Sequence, residues 1–215
     1  FGGFDNCLWD IAGKAAGLPV AKLLGGARER TQAYYNTSGS TADELLNDCE
    51  VGLKAGFTVL KDHLAFSFEE NIRVFELFRS ELGSQVGLMH DAALANYNYE
   101  EALAVGRTLE QTNFIWFEEP IDDRDHENNV KLCDLLEIPI AGAETLMHEP
   151  EIGELWLKTG AVDILRVNAR HGTTPIVSSA NFARNLNANV EPNSYGPLFG
   201  LVHSPINCGI EHIAW

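Results

Sequence analysis

Short apolar runs recur along this chain at intervals of one strand plus one helix, and each is followed by an amphipathic stretch. That alternation limits the possible folds more than any other feature, because it is the pattern of successive parallel βα units. Residues 3–17 carry a helical period through Phe4, Leu8, Trp9, Ile11, Ala12, Ala15 and Ala16, closed by Gly17 and Pro19. A short helical piece follows at 20–24. Strands are then predicted at 31–36, 58–63, 85–92, 114–119, 138–144, 162–168, 189–193 and 209–214. Helices are predicted between them, near 41–55, 68–82, 99–111, 128–136, 149–159, 174–186 and 198–203. Ser40-Thr41 caps the first of these, and Ser67 with Glu70 reads as a capping box for the second. Eight strands with seven helices between them predict an α/β fold, a TIM-type (β/α)8 barrel present here as (β/α)7β without its last helix. The rival is an open doubly wound sheet, which would normally carry a glycine-rich nucleotide loop. Neither G-x-G-x-x-G nor G-x-x-x-x-G-K occurs in the sequence. No internal repeat or low-complexity linker is evident, so residues 31–215 read as one domain and residues 1–30 as a helical lead-in.

Composition removes whole classes of function. Fifteen Lys and Arg against 31 Asp and Glu leave a formal charge of −16, which excludes a phosphate-backbone binder and disfavours anionic lipid. No stretch approaches the apolar length of a membrane span, and no signal-peptide pattern opens the chain. Cys7, Cys49, Cys133 and Cys208 form no CxxC pair, so they are expected to be buried free thiols of a cytoplasmic protein. The partner that remains is a small molecule, with neither nucleic acid nor membrane. The chain begins at Phe1 rather than Met, which suggests a piece of something longer.

Polar residues fall where a barrel keeps its catalytic groups, at the C-terminal ends of the strands. The second strand ends Lys61-Asp62-His63, the third His90-Asp91, the fourth Glu118-Glu119, the fifth Glu144, the sixth Asn168 and the seventh Asn193, and the eighth carries Glu211. Three acids in succession stand one βα unit apart, since 118 − 91 = 27 and 144 − 118 = 26. Asp91, Glu118 and Glu144 should therefore converge, and converging carboxylates either take up protons or hold a cation. An all-carboxylate set suits Mg²⁺, with Mn²⁺ as the other choice, rather than zinc. Alternation along the second strand puts Lys61 and His63 on one face and leaves Asp62 facing the helices, an odd place for a charge. A lone buried His is commonly a hydrogen-bonded core residue; an inward Lys needs an anion.

These residues resemble the barrel domain of the enolase superfamily, in its mandelate racemase/muconate lactonizing enzyme branch, over essentially the whole chain. The likeness is carried by Asp5-Asn6-Cys7-Leu8-Trp9-Asp10, Gly17-Leu18-Pro19, Leu23-Leu24-Gly25-Gly26, Ala55-Gly56-Phe57 before Leu60-Lys61, Met89-His90-Asp91-Ala92, Trp116-Phe117-Glu118-Glu119-Pro120 and Ile140-Ala141-Gly142-Ala143-Glu144. The resemblance implies Mg²⁺ on Asp91, Glu118 and Glu144, a carboxylate substrate, and a base that removes the proton beside the carboxylate to give an enediolate. It also implies an N-terminal cap domain, which this chain lacks, and assembly as a homo-oligomer. Residues 1–30 are then the segment leading from that cap.

The sequence also departs from the family pattern. Lys61 matches the first Lys of the family's Lys-x-Lys, but the second is His63, so either residue could be the base. Asn168 and Asn193 stand where one subgroup has an Asp/His dyad, and an amide cannot exchange a proton usefully. They are candidate substrate-binding residues, as is Glu211. The resulting expectation is a Mg²⁺-dependent lyase or isomerase of a hydroxy acid, an acid-sugar dehydratase first. The alternative is an enolase-type barrel that binds metal and a carboxylate ligand without turnover. The charge run at residues 122–127 reads as a solvated loop, Trp116 as packing, and His148 as an ordinary loop residue. His171 and His203 have no partner readable from sequence.

Overall fold

A computed structural model of the chain describes residues 1–193 and 198–215. In chain order its elements begin with α1 (Gly2–Ala16), α2 (Val20–Leu23), β1 (Tyr35–Asn36), α3 (Ala42–Lys54), β2 (Val59–Asp62) and α4 (Phe68–Leu82). Next come β3 (Gly87–Asp91), α5 (Tyr99–Gln111), β4 (Phe117–Glu118), α6 (His126–Leu135), β5 (Ile140–Gly142) and a 3-10 turn (Glu144–Leu146). The last are α7 (Pro150–Thr159), β6 (Ile164–Val167), α8 (Thr173–Asn185), β7 (Asn189–Pro192) and α9 (Phe199–Gly209). The chain divides into two compact units. One contains 1–32, 143–159 and 163–215, and the other 33–142 with 160–162.

In the 33–142 unit the strands pair in parallel and in chain order. The register sets Leu60 beside Leu88, Asp62 beside His90, Asp91 beside Glu118, and Glu118 beside Ala141. The helices begin with their own caps. Thr41, Ser67, Asn98 and Asp125 each accept the N–H of the residue three positions on. Only one of these is a full capping box, at Asn98–Glu101. At Ser67 the expected box is half made, because the Glu70 carboxylate pairs with Arg73 instead. The apolar faces of α4 and α5 bury Phe75, Phe78, Val105 and Leu109 against Leu88, Phe117 and Ile140 of the strands. Each such side chain contributes about 1.5–3 kcal/mol, and truncating Phe75 to Ala would cost about 3–5 kcal/mol. Gly106 is needed for this packing, since a Cβ there would lie 2.4 Å from the Leu136 side chain.

In the other unit β6 and β7 pair in parallel, with Arg166 beside Glu191. Here α8 has no cap of its own, because its N-cap is Gly172. Asp5 of α1 supplies one: its carboxylate accepts the Thr174 N–H at 2.8 Å and hydroxyl at 2.6 Å. Gly172 has φ 118°, and a Cβ there would lie 2.7 Å from that carboxylate, so the close approach requires glycine. Asn6 adds a bond to Ala169 O at 2.7 Å and accepts from Thr173 at 2.8 Å. Helix α1 therefore docks through polar residues. Phe4, Leu8 and Ile11 of the apolar stripe read from the sequence are exposed, as is Phe1. Periodicity identified the helix but not the covered face.

Four expectations need correction. No eighth strand forms among the described residues: α9 runs through Gly209, and 210–215 has no strand ladder. The main-chain N–H groups of Ala214 and Trp215 donate to the Glu191 carboxylate at 2.9 Å each, so a side chain takes bonds that a ladder would need. The fifth strand stops at Gly142, because Ala143 turns left-handed with φ 66° and Glu144 opens the 3-10 turn. The cysteines are all free, but only Cys49 is buried and Cys7 is exposed. Within the charge run, Asp123 is buried rather than solvated. Among the described residues, no helix is long and apolar enough to cross a membrane.

Candidate active site

Register places Asp91 and Glu118 side by side at the ends of β3 and β4, and Lys61 joins them from β2. The Lys61 Nζ donates to Asp91 Oδ2 at 2.8 Å and to Glu118 Oε2 at 2.8 Å, and all three side chains are at most 7% exposed. Glu118 Oε2 also accepts from Trp116 Nε1 at 3.2 Å. Asp91 Oδ1 accepts the Ala93 N–H at 3.1 Å. His63, just past β2, brings Nε2 to 3.1 Å from Asp91 Oδ2, with its side chain 35% exposed. Burial alone would raise the Asp91 carboxyl, but the hydrogen bond from His63 and the charge of Lys61 outweigh it and hold it well below the usual carboxylate range. The Tyr34 ring lies with its centroid 5.4 Å from Lys61 Nζ and packs edge-on against Trp116.

The odd outward charge of Asp62 has a partner. Its Oδ1 lies 2.6 Å from His90 Nδ1, whose Nε2 lies 3.3 Å from the Tyr97 hydroxyl, to which Asn71 donates at 2.6 Å. The His90 ring stacks on Phe117 and meets Phe75 edge-on. This buried chain ties β2 to β3 from behind and leaves Lys61 and His63 free to face the other way, which is the alternation expected of the strand.

A cleft of about 380 Å³ opens beside His63, lined among others by Thr37, Ser38 and Ser40. Its hydroxyl groups and the imidazole share the lining with Leu45, Leu64 and Phe66, so the cleft is mixed, polar on one part and apolar on the other.

The remaining candidates lie in the other unit. Glu144 is half-buried in the 3-10 turn. Asn168 and Asn193, at the ends of β6 and β7, are brought together: Asn168 Nδ2 donates to the Asn193 side-chain oxygen at 2.5 Å and to its carbonyl at 2.8 Å. Asn168 Oδ1 in turn accepts the Arg170 N–H at 2.7 Å. Next to them burial pushes the Glu191 carboxyl up to about 7, against the hydrogen bonds of Ala214 and Trp215 and the charges of Arg166 and Arg28. Burial, with Arg166, lowers His203 to about 4, so its Nε2 is free to accept the Ala169 N–H at 2.9 Å. Glu211 is exposed in a turn, where its carbonyl accepts from Arg28 at 2.9 Å. His171, which had no readable partner, meets His148 ring to ring at 4.3 Å.

Among the described residues no three His, Cys, Asp or Glu side chains form a group that could hold a metal. The donor pair of Asp91 and Glu118 nonetheless suits a hard cation: two buried carboxylate oxygens already converge on one ammonium nitrogen. Trp116 and Tyr34 were missed as site residues. Trp116 stands two positions before Glu118, hence on the same face, and that spacing was the available signal. Tyr34 had none.

Parallel βα units with acids gathered at strand ends define an α/β protein with the strand-end layout of a barrel domain. The family model described as Enolase C-terminal domain-like matches residues 44–209, and the chain belongs to that family. It is 35% identical to arabinonate dehydratase of Saccharolobus solfataricus, over 85% of this chain and 50% of that protein. It is 32% identical to L-talarate/galactarate dehydratase of Salmonella typhimurium, over 98% of this chain and 54% of that protein. Among solved structures, D-glucarate dehydratase from Agrobacterium tumefaciens complexed with magnesium superposes with a TM-score of 0.87 at 28% identity, over 99% of this chain and 58% of that one. The chain spans about half the length of the curated relatives it matches.

Proposed function

We propose that this chain is the barrel portion of a Mg²⁺-dependent enzyme that removes the proton beside the carboxylate of a hydroxy acid, and that the reaction is dehydration of an acid sugar. The observation that carries the reading is the cluster of Lys61, His63, Asp91 and Glu118, with a cleft opening beside His63. The relatives named as dehydratases support it, and they favour turnover over mere ligand binding.

Asp91 and Glu118 would hold the metal, with Glu144 as the third ligand implied by the family pattern. Mg²⁺, when bound, supplies positive charge opposite the oxyanion that develops on the substrate carboxylate; Mn²⁺ would serve the same purpose. His63 is assigned as the proton acceptor, because its ring is partly open to the cleft and oriented by Asp91. Lys61, held as an ammonium by two carboxylates, has no lone pair to accept a proton and acts by charge. Asn168 and Asn193 hold hydroxyls, and Glu211 stays a substrate-side candidate only through the family pattern. The proton that His63 takes from the α-carbon would pass on to the β-hydroxyl, which leaves as water. A cytoplasmic homo-oligomer acting on a small carboxylate fits this reading.

The test is α-proton exchange followed by NMR in D₂O with Mg²⁺, on the full-length gene product, across aldonic, aldaric and anhydro-sugar acids. Exchange or loss of water with one acid is expected, and His63→Asn should slow it by about 10²–10⁴-fold. Absence of exchange with every acid, in protein shown to bind Mg²⁺, would overturn the reading.

A further inference from the structure

Two aspartates and two histidines close a ring across β2 and β3. Asp62 and His63 are joined by a peptide bond, and so are His90 and Asp91. On one face His63 Nε2 lies 3.1 Å from Asp91 Oδ2, and on the other Asp62 Oδ1 lies 2.6 Å from His90 Nδ1. Each histidine therefore meets the aspartate that neighbours the other histidine. Asp62 Oδ1 also accepts the Leu64 N–H at 3.1 Å, a turn in which a carboxylate holds the amide two residues on. His63 is the residue at the centre of that turn. The paired ladder of β2 ends at Asp62, beside His90, so register with β3 stops one residue short of His63. Leu64, buried in the apolar core, fixes the far side of the turn.

We infer that Asp62 is a positioning residue for His63: through the Leu64 turn and the His90 tie it holds the imidazole against Asp91, with the ring open to the cleft. The inference rests on the reading of His63 as the proton acceptor and deepens it by naming what aims the ring. Geometry supports it. Opening the ring between Asp62 and His90 frees the 62–64 turn from β3, and His63 then keeps Asp91 only through its own side-chain torsions. A general base must sit within about 3 Å of its proton, and a displacement of about 1 Å costs ~10²-fold in rate. Energetics support it as well. A buried carboxylate is costly, and an apolar pair of similar volume often leaves stability equal or better. Asp62 is nevertheless 2% exposed and His90 fully buried, so packing alone gives no reason for a charge there. Tyr97 and Asn71 extend the tie. Asn71 donates to the Tyr97 hydroxyl at 2.6 Å, which leaves the hydroxyl proton for His90 Nε2, 3.3 Å away, and Nδ1 as the donor to Asp62.

The experiment compares the full-length wild type with Asp62→Asn and Asp62→Leu. Asparagine keeps an acceptor oxygen for Leu64 and His90, and leucine keeps neither bond. Three quantities are read at one pH: the His63 ring ¹⁵N–¹H correlations of histidine-labelled protein before Mg²⁺ is added, Mg²⁺ affinity by calorimetry, and kcat and KM of α-proton exchange. Asp62→Leu is expected to move the His63 ring signals and to lose ~10²-fold in kcat, with KM and Mg²⁺ affinity close to wild type. Asp62→Asn is expected to keep the His63 signals and to stay within about fivefold in kcat, the scale of one weakened hydrogen bond. Unmoved His63 signals in Asp62→Leu overturn the inference. An equal loss in both variants also overturns it, since charge rather than position would then be the cause. So does a fall in Mg²⁺ affinity as large as the fall in kcat, because Asp91 and not His63 alone would have moved. If Asp62→Leu does not fold, the apolar pair Asp62→Leu/His90→Leu takes its place; if that also fails, Asp62 serves the fold alone and the inference is overturned. Absence of exchange by the wild type with every acid overturns the proton-acceptor reading, and the ring signals still decide whether Asp62 holds His63.

Discussion

The strand ends of β2 to β4 and those of β6 and β7 solve the same problem in opposite ways. Each must bring polar side chains together in a buried place. The first does so with charge: an ammonium shared by two carboxylates, with an imidazole on one of them. The second does so with amides, Asn168 donating to Asn193 and accepting from the Arg170 backbone. Ionised groups can take up, release or orient protons and ions, whereas amides fix geometry and stay neutral. The difference teaches that at these strand ends ionised side chains meet in one unit and amides in the other.

The hardest blow to that contrast would come from Glu118→Gln. The variant is expected to lose at least ~100-fold in Mg²⁺ affinity by titration calorimetry and about 3–5 kcal/mol in denaturant unfolding, because Lys61 keeps a single anionic partner in a buried site. If instead it binds Mg²⁺ as wild type does, the charged strand ends are not the metal side. Glu191 sharpens the comparison, since it is the titratable carboxylate of the amide side. Its carboxyl is held at about 7 in the folded chain against an ordinary value of 4.5, so folding favours the protonated form. The resulting stability is present below pH 4.5, falls as pH rises, and is gone above 7, a change of about 3 kcal/mol at most. The unfolding free energy of wild type measured between pH 4.5 and 8 should therefore decline relative to that of Glu191→Gln. Parallel curves would mean that Arg166 already holds the carboxylate ionised. The smallest effect is expected from Asn193→Ser, less than about tenfold in α-proton exchange, the scale of a single hydrogen bond to substrate. A thousandfold loss there would erase the distinction between the two sides.

Most of the charged side was legible in the sequence because strand alternation and βα spacing act on it directly. Lys61 and His63 do share a face, and Asp91 and Glu118 do meet across neighbouring strands. The sequence could not reveal why Asp62 tolerates facing the helices. Its partner His90 lies on another strand, and Tyr97 and Asn71, which complete the chain, come from a loop and a helix. The end of the fifth strand was misjudged because Ala143 adopts a left-handed turn that nothing in its residue type announces. The eighth strand was misread for a tertiary reason: Glu191 captures the main-chain groups of Ala214 and Trp215. Likewise the stripe on α1 was read correctly as helical, but its docking runs through Asp5 and Asn6 instead.

The two manners of starting a helix set an order in time. Helices α3 to α6 find their first acceptor within three residues of their start, so they can nucleate as soon as their own segment exists. Helix α8 takes its acceptor from Asp5, 169 positions earlier, and must wait for that long loop to close. Hydrogen exchange on the refolding chain should accordingly protect the amides of α3 to α6 before that of Thr174. Removing residues 1–16 would leave the early helices their caps and strip α8 of the one that Asp5 lends it.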